Sequence, residues 1–98
     1  MNNIFSHISE IGDSWFSETM GTPNGNPVAV RVMNDVVAPF HTHTVADEMF
    51  LVISGVVYID TSEGTITLSP GQAHTVVAGV EHRIRVEGRA ELVVIGGQ

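Results

Sequence analysis

The chain has 98 residues, 43% hydrophobic and only 15% charged, and its 11 acidic and 4 basic residues leave a net charge of −7. That balance argues against nucleic acid, which needs clustered Lys and Arg to displace phosphate counterions, and against an anionic membrane surface; the basic residues here are a scatter of Arg31, Arg83, Arg85 and Arg89. The absence of cysteine excludes disulfides, thiolate metal sites and thiol catalysis.

In chain order, residues 1–26 read as an N-terminal arm and loop, and residues 27–98 as one β domain. Only residues 2–18 have any helical character, and Gly12, Trp15 and Phe16 weaken it; Trp15–Thr19 reads as a strand or an extended arm. Gly21–Pro27 holds two prolines, two glycines and two asparagines, a composition that leaves only a loop. Strands are then predicted at Pro27–Met33, Val36–His41, Glu48–Ser54, Val56–Thr61, Thr65–Leu68, Ala73–Val77, His82–Val86 and Ala90–Ile95. Ser54-Gly55, Ser62-Glu63-Gly64, Ser69-Pro70-Gly71 and Ala78-Gly79-Val80-Glu81 supply turns between them. Short β-branched runs with turn signals at this spacing define an all-β sandwich or closed barrel.

The chemistry lies in four residues. His41 and His43 are two apart, so on a strand both imidazoles leave the same face. Glu48 opens the apolar run Met49–Ile53, and His82 opens another run further on. A His-x-His pair alone also suits a solvated face. A carboxylate at the mouth of an apolar strand, however, needs a cation or donors once it is buried. Three imidazoles and one carboxylate form a mixed N/O set suited to one divalent ion, whether Fe, Mn, Ni, Cu or Zn.

In order and spacing these residues resemble the cupin superfamily, and the chain is similar to its small single-domain members. The first cupin motif, G-(x)5-H-x-H-(x)3,4-E-(x)6-G, is met by His41-Thr42-His43, four residues, Glu48, six residues and Gly55. The second, G-(x)5-P-x-G-(x)2-H-(x)3-N, is met by Gly71, five residues, Val77-Ala78-Gly79, two residues and His82. Asp35 stands at the leading glycine of the first motif, Val77 at the proline and Val86 at the final asparagine, none of them a ligand position. The resemblance implies a cupin-type β-barrel, or double-stranded β-helix (jelly roll), with a metal in its mouth on His41, His43, Glu48 and His82, and usually a dimer formed through the sheets. It also implies dioxygenase, isomerase, epimerase-like or lyase chemistry. In such a barrel alternate residues line the interior, so His41 and His43 from one strand, Glu48 from the next and His82 from a third converge, leaving one or two coordination positions open.

The remaining candidates each have a plain structural alternative. His74, in Ala73–Val77, is an acid/base over the metal, a partner to one of its ligands, or a partly exposed strand histidine. Glu48 itself is a candidate base if it leaves the metal. Phe40, Met49 and Tyr58 are candidate pocket walls or ordinary packing residues. Arg83 follows His82 directly and points to the opposite face. Arg31 is a candidate anchor for an anionic substrate, its facing open, and His7 is a surface histidine of the arm. Neither a hydrolytic nucleophile arrangement nor a phosphate or dinucleotide loop is present, and a sugar phosphate would lack its basic cluster.

These residues point to a metal-dependent enzyme, dioxygenase- or isomerase-like, acting on a small organic molecule in the barrel. A non-catalytic metal or small-ligand binding module would use the same site. Charge so sparse for a domain of this size predicts that part of the surface is buried in a homodimer. The lack of cysteine, of a signal-like N-terminus and of any apolar run of membrane-spanning length fits a cytoplasmic protein.

Overall fold

The computed structural model describes residues 3–98, so the first two positions of the 1–26 segment lie outside the described residues. A short helix α1 (Ile4–Ile8) is followed by strands β1 (Trp15–Gly21), β2 (Val28–Val37), β3 (Glu48–Ser54), β4 (Val57–Thr61), β5 (Gly64–Leu68), β6 (Ala73–Val76) and β7 (His82–Gly96). The strands run β1-β2-β7-β3-β6, with β4 joined to both β7 and β5. Every pairing is antiparallel. The all-β reading holds, and Trp15–Thr19, read as a strand or an extended arm, lies within strand β1, paired along β2.

Period-two alternation sorts the side chains. In β3, Glu48, Phe50 and Val52 are buried while Met49 and Leu51 between them are only partly so. Phe50 and Val52 join Met33 of β2, Val57 and Ile59 of β4, Val76 of β6 and Ile84, Val86, Leu92 and Val94 of β7 in one inner core. Each such side chain contributes about 1.5–3 kcal/mol on burial. The opposite face of β2 is not left bare: Val30 and Val32 pack beneath Ile8 of α1. Asn3 caps that helix by accepting from the Ser6 N–H at 3.0 Å.

Two strands are longer than the sequence suggests. His82–Val86 and Ala90–Ile95 are halves of one 15-residue strand, whose first half pairs with β4 and whose second half pairs with β3. Residues 87–89, left between the two predicted strands, form a bulge instead, where the β2–β7 register shifts between Asn34 and Val36. A bulge bends a strand without ending it, and here it lets β7 serve both neighbours. Asp35 sits opposite with φ 46°, beside Gly88 at φ 75°, and its Oδ1 accepts the Gly88 N–H at 2.6 Å. Asp tolerates the left-handed conformation because its short side chain can bond locally, which accounts for its standing where the cupin motif has glycine.

Candidate metal centre

The predicted strand Val36–His41 is not found. β2 ends at Val37, and residues 38–47 are a connection outside the named strands. His41 is nonetheless fixed, by a two-residue antiparallel bridge to His82. The His41 N–H donates to the His82 carbonyl at 2.9 Å, and the His82 N–H donates to the His41 carbonyl at 3.0 Å. His43 is placed by its own carbonyl, which accepts the Gly79 N–H at 2.8 Å. Asp47 ties the same connection to the same turn, its Oδ1 accepting the Ala78 N–H at 2.8 Å. The two histidines therefore share a face through backbone bonds to the 78–82 turn rather than through a strand of their own.

All four ligand candidates converge, with one donor atom of each lying within 4.8 Å of the others. The Glu48 Oε1 is 2.9 Å from His82 Nε2, 3.3 Å from His43 Nε2 and 3.9 Å from His41 Nε2. Two atoms bound at right angles to one ion, each about 2 Å from it, lie about 3 Å apart, so the closer pairs already stand at ligand spacing. His82 Nδ1 bonds the Val80 carbonyl at 2.9 Å and His41 Nδ1 bonds the Pro39 carbonyl at 3.1 Å. A carbonyl only accepts, so both Nδ1 atoms donate there, and both Nε2 atoms are the ones turned toward the carboxylate, the orientation in which each could ligate a metal. His43 Nε2 is buried and has no hydrogen-bond partner. A divalent metal placed among these nitrogens and the carboxylate would satisfy all four groups at once.

Burial decides which side of the cluster is open. The side chains of His82 and Glu48 are 1% and 6% exposed, against 23% for His43 and 37% for His41. The cluster is most exposed on the side of His41 and His43. Behind Glu48 runs the chain end. Gly97 (φ 79°) is so close that a Cβ there would collide with the Glu48 carboxylate, and one at Gly96 (φ 81°) would strike the Asp47 carbonyl. Gly97 also donates its N–H to the Asp47 carbonyl at 3.1 Å. Asp47, Gly96 and Gly97 are supports that the sequence reading did not single out; the paired glycines closing the last strand were the available signal.

Other candidates lie elsewhere. Phe40 is exposed beneath the Arg83 guanidinium, 4.6 Å from it, and Tyr58 lies under Arg85 at 4.6 Å. Both are on the outer face, where β4 and β7 pair Asp60 with Arg83 and Tyr58 with Arg85. Met49 alternates with the buried Glu48 and Phe50 and so also points outward. None of the three forms a wall of the cluster: strand periodicity turns Met49 and Tyr58 outward, and Phe40 lies in the connection after β2, where it is exposed against Arg83. Arg83 faces outward, as expected from its place beside His82. There it joins Arg85 on Asp60, whose carboxylate accepts from Arg83 Nε at 2.8 Å and Arg85 Nε at 2.8 Å. These bonds, Arg85 foremost, hold the Asp60 carboxyl well below the usual carboxylate range.

His74 is not in the four-residue cluster. It lines a neighbouring cavity of about 440 Å³ with Ile66, Val76, Val80 and Glu81, and none of the four metal candidates contributes to that wall. Val76 pairs with Glu48 across β3–β6, so the cavity adjoins the site without containing it.

The fold and this centre define a small antiparallel barrel with a three-histidine, one-carboxylate group able to hold a metal ion. Residues 29–96 match the family profile described as the cupin domain, and the chain belongs to that family. Its fold is similar to that of a cupin-2 domain protein from Shewanella frigidimarina, with TM-score 0.88 at 22% identity over 98% of this chain and 93% of that one. A protein from Neisseria meningitidis gives 0.82 at 24% identity over 100% and 99% of the two chains. A cupin superfamily protein from Desulfitobacterium hafniense gives 0.83 at 19% identity over 95% and 85%. No curated protein matches the sequence. Among the described residues no helix is long and apolar enough to cross a membrane.

Proposed function

We propose that this cupin is a metal-dependent enzyme acting on a small organic molecule that enters past His41 and His43. The observation that carries the proposal is the buried, partnerless His43 Nε2 facing the same carboxylate as two imidazoles whose Nδ1 atoms are already committed to carbonyls. A bound divalent ion would supply Lewis-acid polarisation and a template for adjacent substrate oxygens. The protein's own part is to hold the ligand atoms rigid, to keep water from the inner side with Phe50, Val76 and Ile84, and to leave the outer side open.

The cluster contains no acid or base beyond its own ligands. An isomerase needs a positioned proton carrier, and here that role would fall to Glu48 or to His74 across the adjoining cavity. A dioxygenase, whose chemistry is largely that of the metal and dioxygen, asks less of the surroundings and is the reading we favour. The same scarcity of acid/base groups supports the alternative of a module that binds or senses without turnover. We further propose a cytoplasmic homodimer: charge is sparse, and the edge strand β1 exposes Trp15 and Met20.

The test is elemental analysis of untagged protein, followed by anaerobic Fe(II) loading and oxygen-uptake assays with a panel of diols and diketones. Substrate-dependent uptake is expected. Roughly one metal per chain without turnover of any panel member would favour the binding module.

A further inference from the structure

Among the described residues, Arg31 is the one arginine without an ion pair. Arg83 and Arg85 hold Asp60, and Arg89 holds Glu91 at 2.9 Å. Among the described residues, Arg31 has no ion-pair partner, and its Nε is buried without a hydrogen bond. Strand alternation settles where it points. Val30 and Val32 face α1, whereas Ala29, Arg31 and Met33 face the other way, and Arg31 sits opposite Leu92 of the inner core. Its guanidinium lies 4.5 Å from the centroid of the Trp15 ring, which holds one face of the fork by cation–π attraction.

An arginine stays charged in a protein and is costly to desolvate without an anion. Burial pulls the Arg31 guanidinium below its usual value, while the charge of Glu48 acts in the opposite direction. Register agrees: Arg31, Leu92 of β7 and Val52 of β3 form one row across the sheet, and Glu48 opens the same inner face of β3 two inward positions from Val52. We propose that Arg31 is the substrate-anchoring residue of this cupin, and that its ligand is a small organic acid whose carboxylate seats on the guanidinium while its other oxygens face the His/Glu centre. This rests on the metal-site reading above and narrows it. The planar fork matches a carboxylate in two parallel hydrogen bonds. A single guanidinium, in a chain of net charge −7 and near Glu48, suits a monoanion better than a phosphate dianion.

Trp15 is the chain's single tryptophan, so its fluorescence reports on the Arg31 face directly. Purified protein would be titrated with pyruvate, with its uncharged amide and with inorganic phosphate, and the metal content of every sample measured alongside. The wild type should give a saturable change with pyruvate and a much weaker one with the amide. Arg31→Met should weaken pyruvate binding by roughly 10- to 100-fold, as loss of a charge-assisted bond implies, with metal content and amide response unchanged. Its melting temperature should not fall, because an unpaired desolvated charge is removed. Arg31→Lys should recover only part of the affinity. Equal binding of pyruvate and amide, undiminished binding by Arg31→Met, absence of pyruvate binding, or tighter binding of phosphate would each overturn the assignment. Loss of metal in Arg31→Met would also overturn it, by making Arg31 a support of the centre. Absence of metal from the wild type would instead defeat the metal-site reading, with the titration still reporting on Arg31.

Discussion

Glu48 is the residue on which the centre turns. A carboxylate whose side chain is 6% exposed is stable only with cationic or donor partners, and those come from two segments, the 38–47 connection and β7. Its position is set from behind by Gly97, where no Cβ fits. Gly97→Ala therefore meets two obstacles: a left-handed φ, costing about 1–2 kcal/mol for a residue with a Cβ, and displacement of the carboxylate. Metal affinity should fall by about 10- to 100-fold, as when groups that orient a ligand are lost. Competition titration with a chromophoric chelator measures this, and unchanged affinity would show that Glu48 does not depend on the chain end. Gly96-Gly97 follows the last predicted strand, Ala90–Ile95, and the pair of glycines is the only sign of these obstacles in the sequence.

At the scale of elements, β7 holds the barrel together by pairing with β2, β3 and β4, and Asp60 ties its outer face to β4 and β5. The Asp60 carboxylate accepts from Arg83 and Arg85 of β7 and from Thr65 of β5. Because its folded pKa is depressed, chiefly by Arg85, its contribution is present above the unfolded carboxyl value of about 4 and is lost as pH falls below it. Asp60→Asn should cost about 1–2 kcal/mol at neutral pH, solvent around the partly exposed arginines keeping the figure low. The variant and wild type should converge in denaturant midpoint toward pH 2. A constant gap across that range would contradict the ionic account. Sequence reading located most of these strands, since their boundaries coincide with Gly, Pro and Ser turns. The charged and glycine residues at 87–89 interrupt the apolar pattern and divide β7 in two, and only the opposing Asp35 shows the interruption to be a bulge. Val36 to His41 reads as a strand because valine and phenylalanine suit one, whereas the chain leaves the sheet after Val37, ahead of Pro39.

For the whole molecule, the motif spacing made the four ligand candidates and the barrel legible, because coordination and strand pairing both demand fixed intervals. The pocket walls were not legible. Inward or outward facing follows from register, and an adjacent-residue shift moves a side chain to the other face, as Met49 and Tyr58 illustrate. Arg31 could be named from sequence, but only its pairing with Leu92 shows that it faces the core side. The exposed apolar residues of β1 and the low charge predict that the chain sediments as a homodimer at micromolar concentration; a monomer there would remove that argument. The central claim is that His41, His43, Glu48 and His82 hold one divalent ion. Elemental analysis of untagged wild type beside His41→Ala and His82→Ala tests it most directly. The account predicts about one metal per wild-type chain and loss of most of it in both variants, with the β circular-dichroism spectrum retained. Full metal content in both folded variants would contradict it.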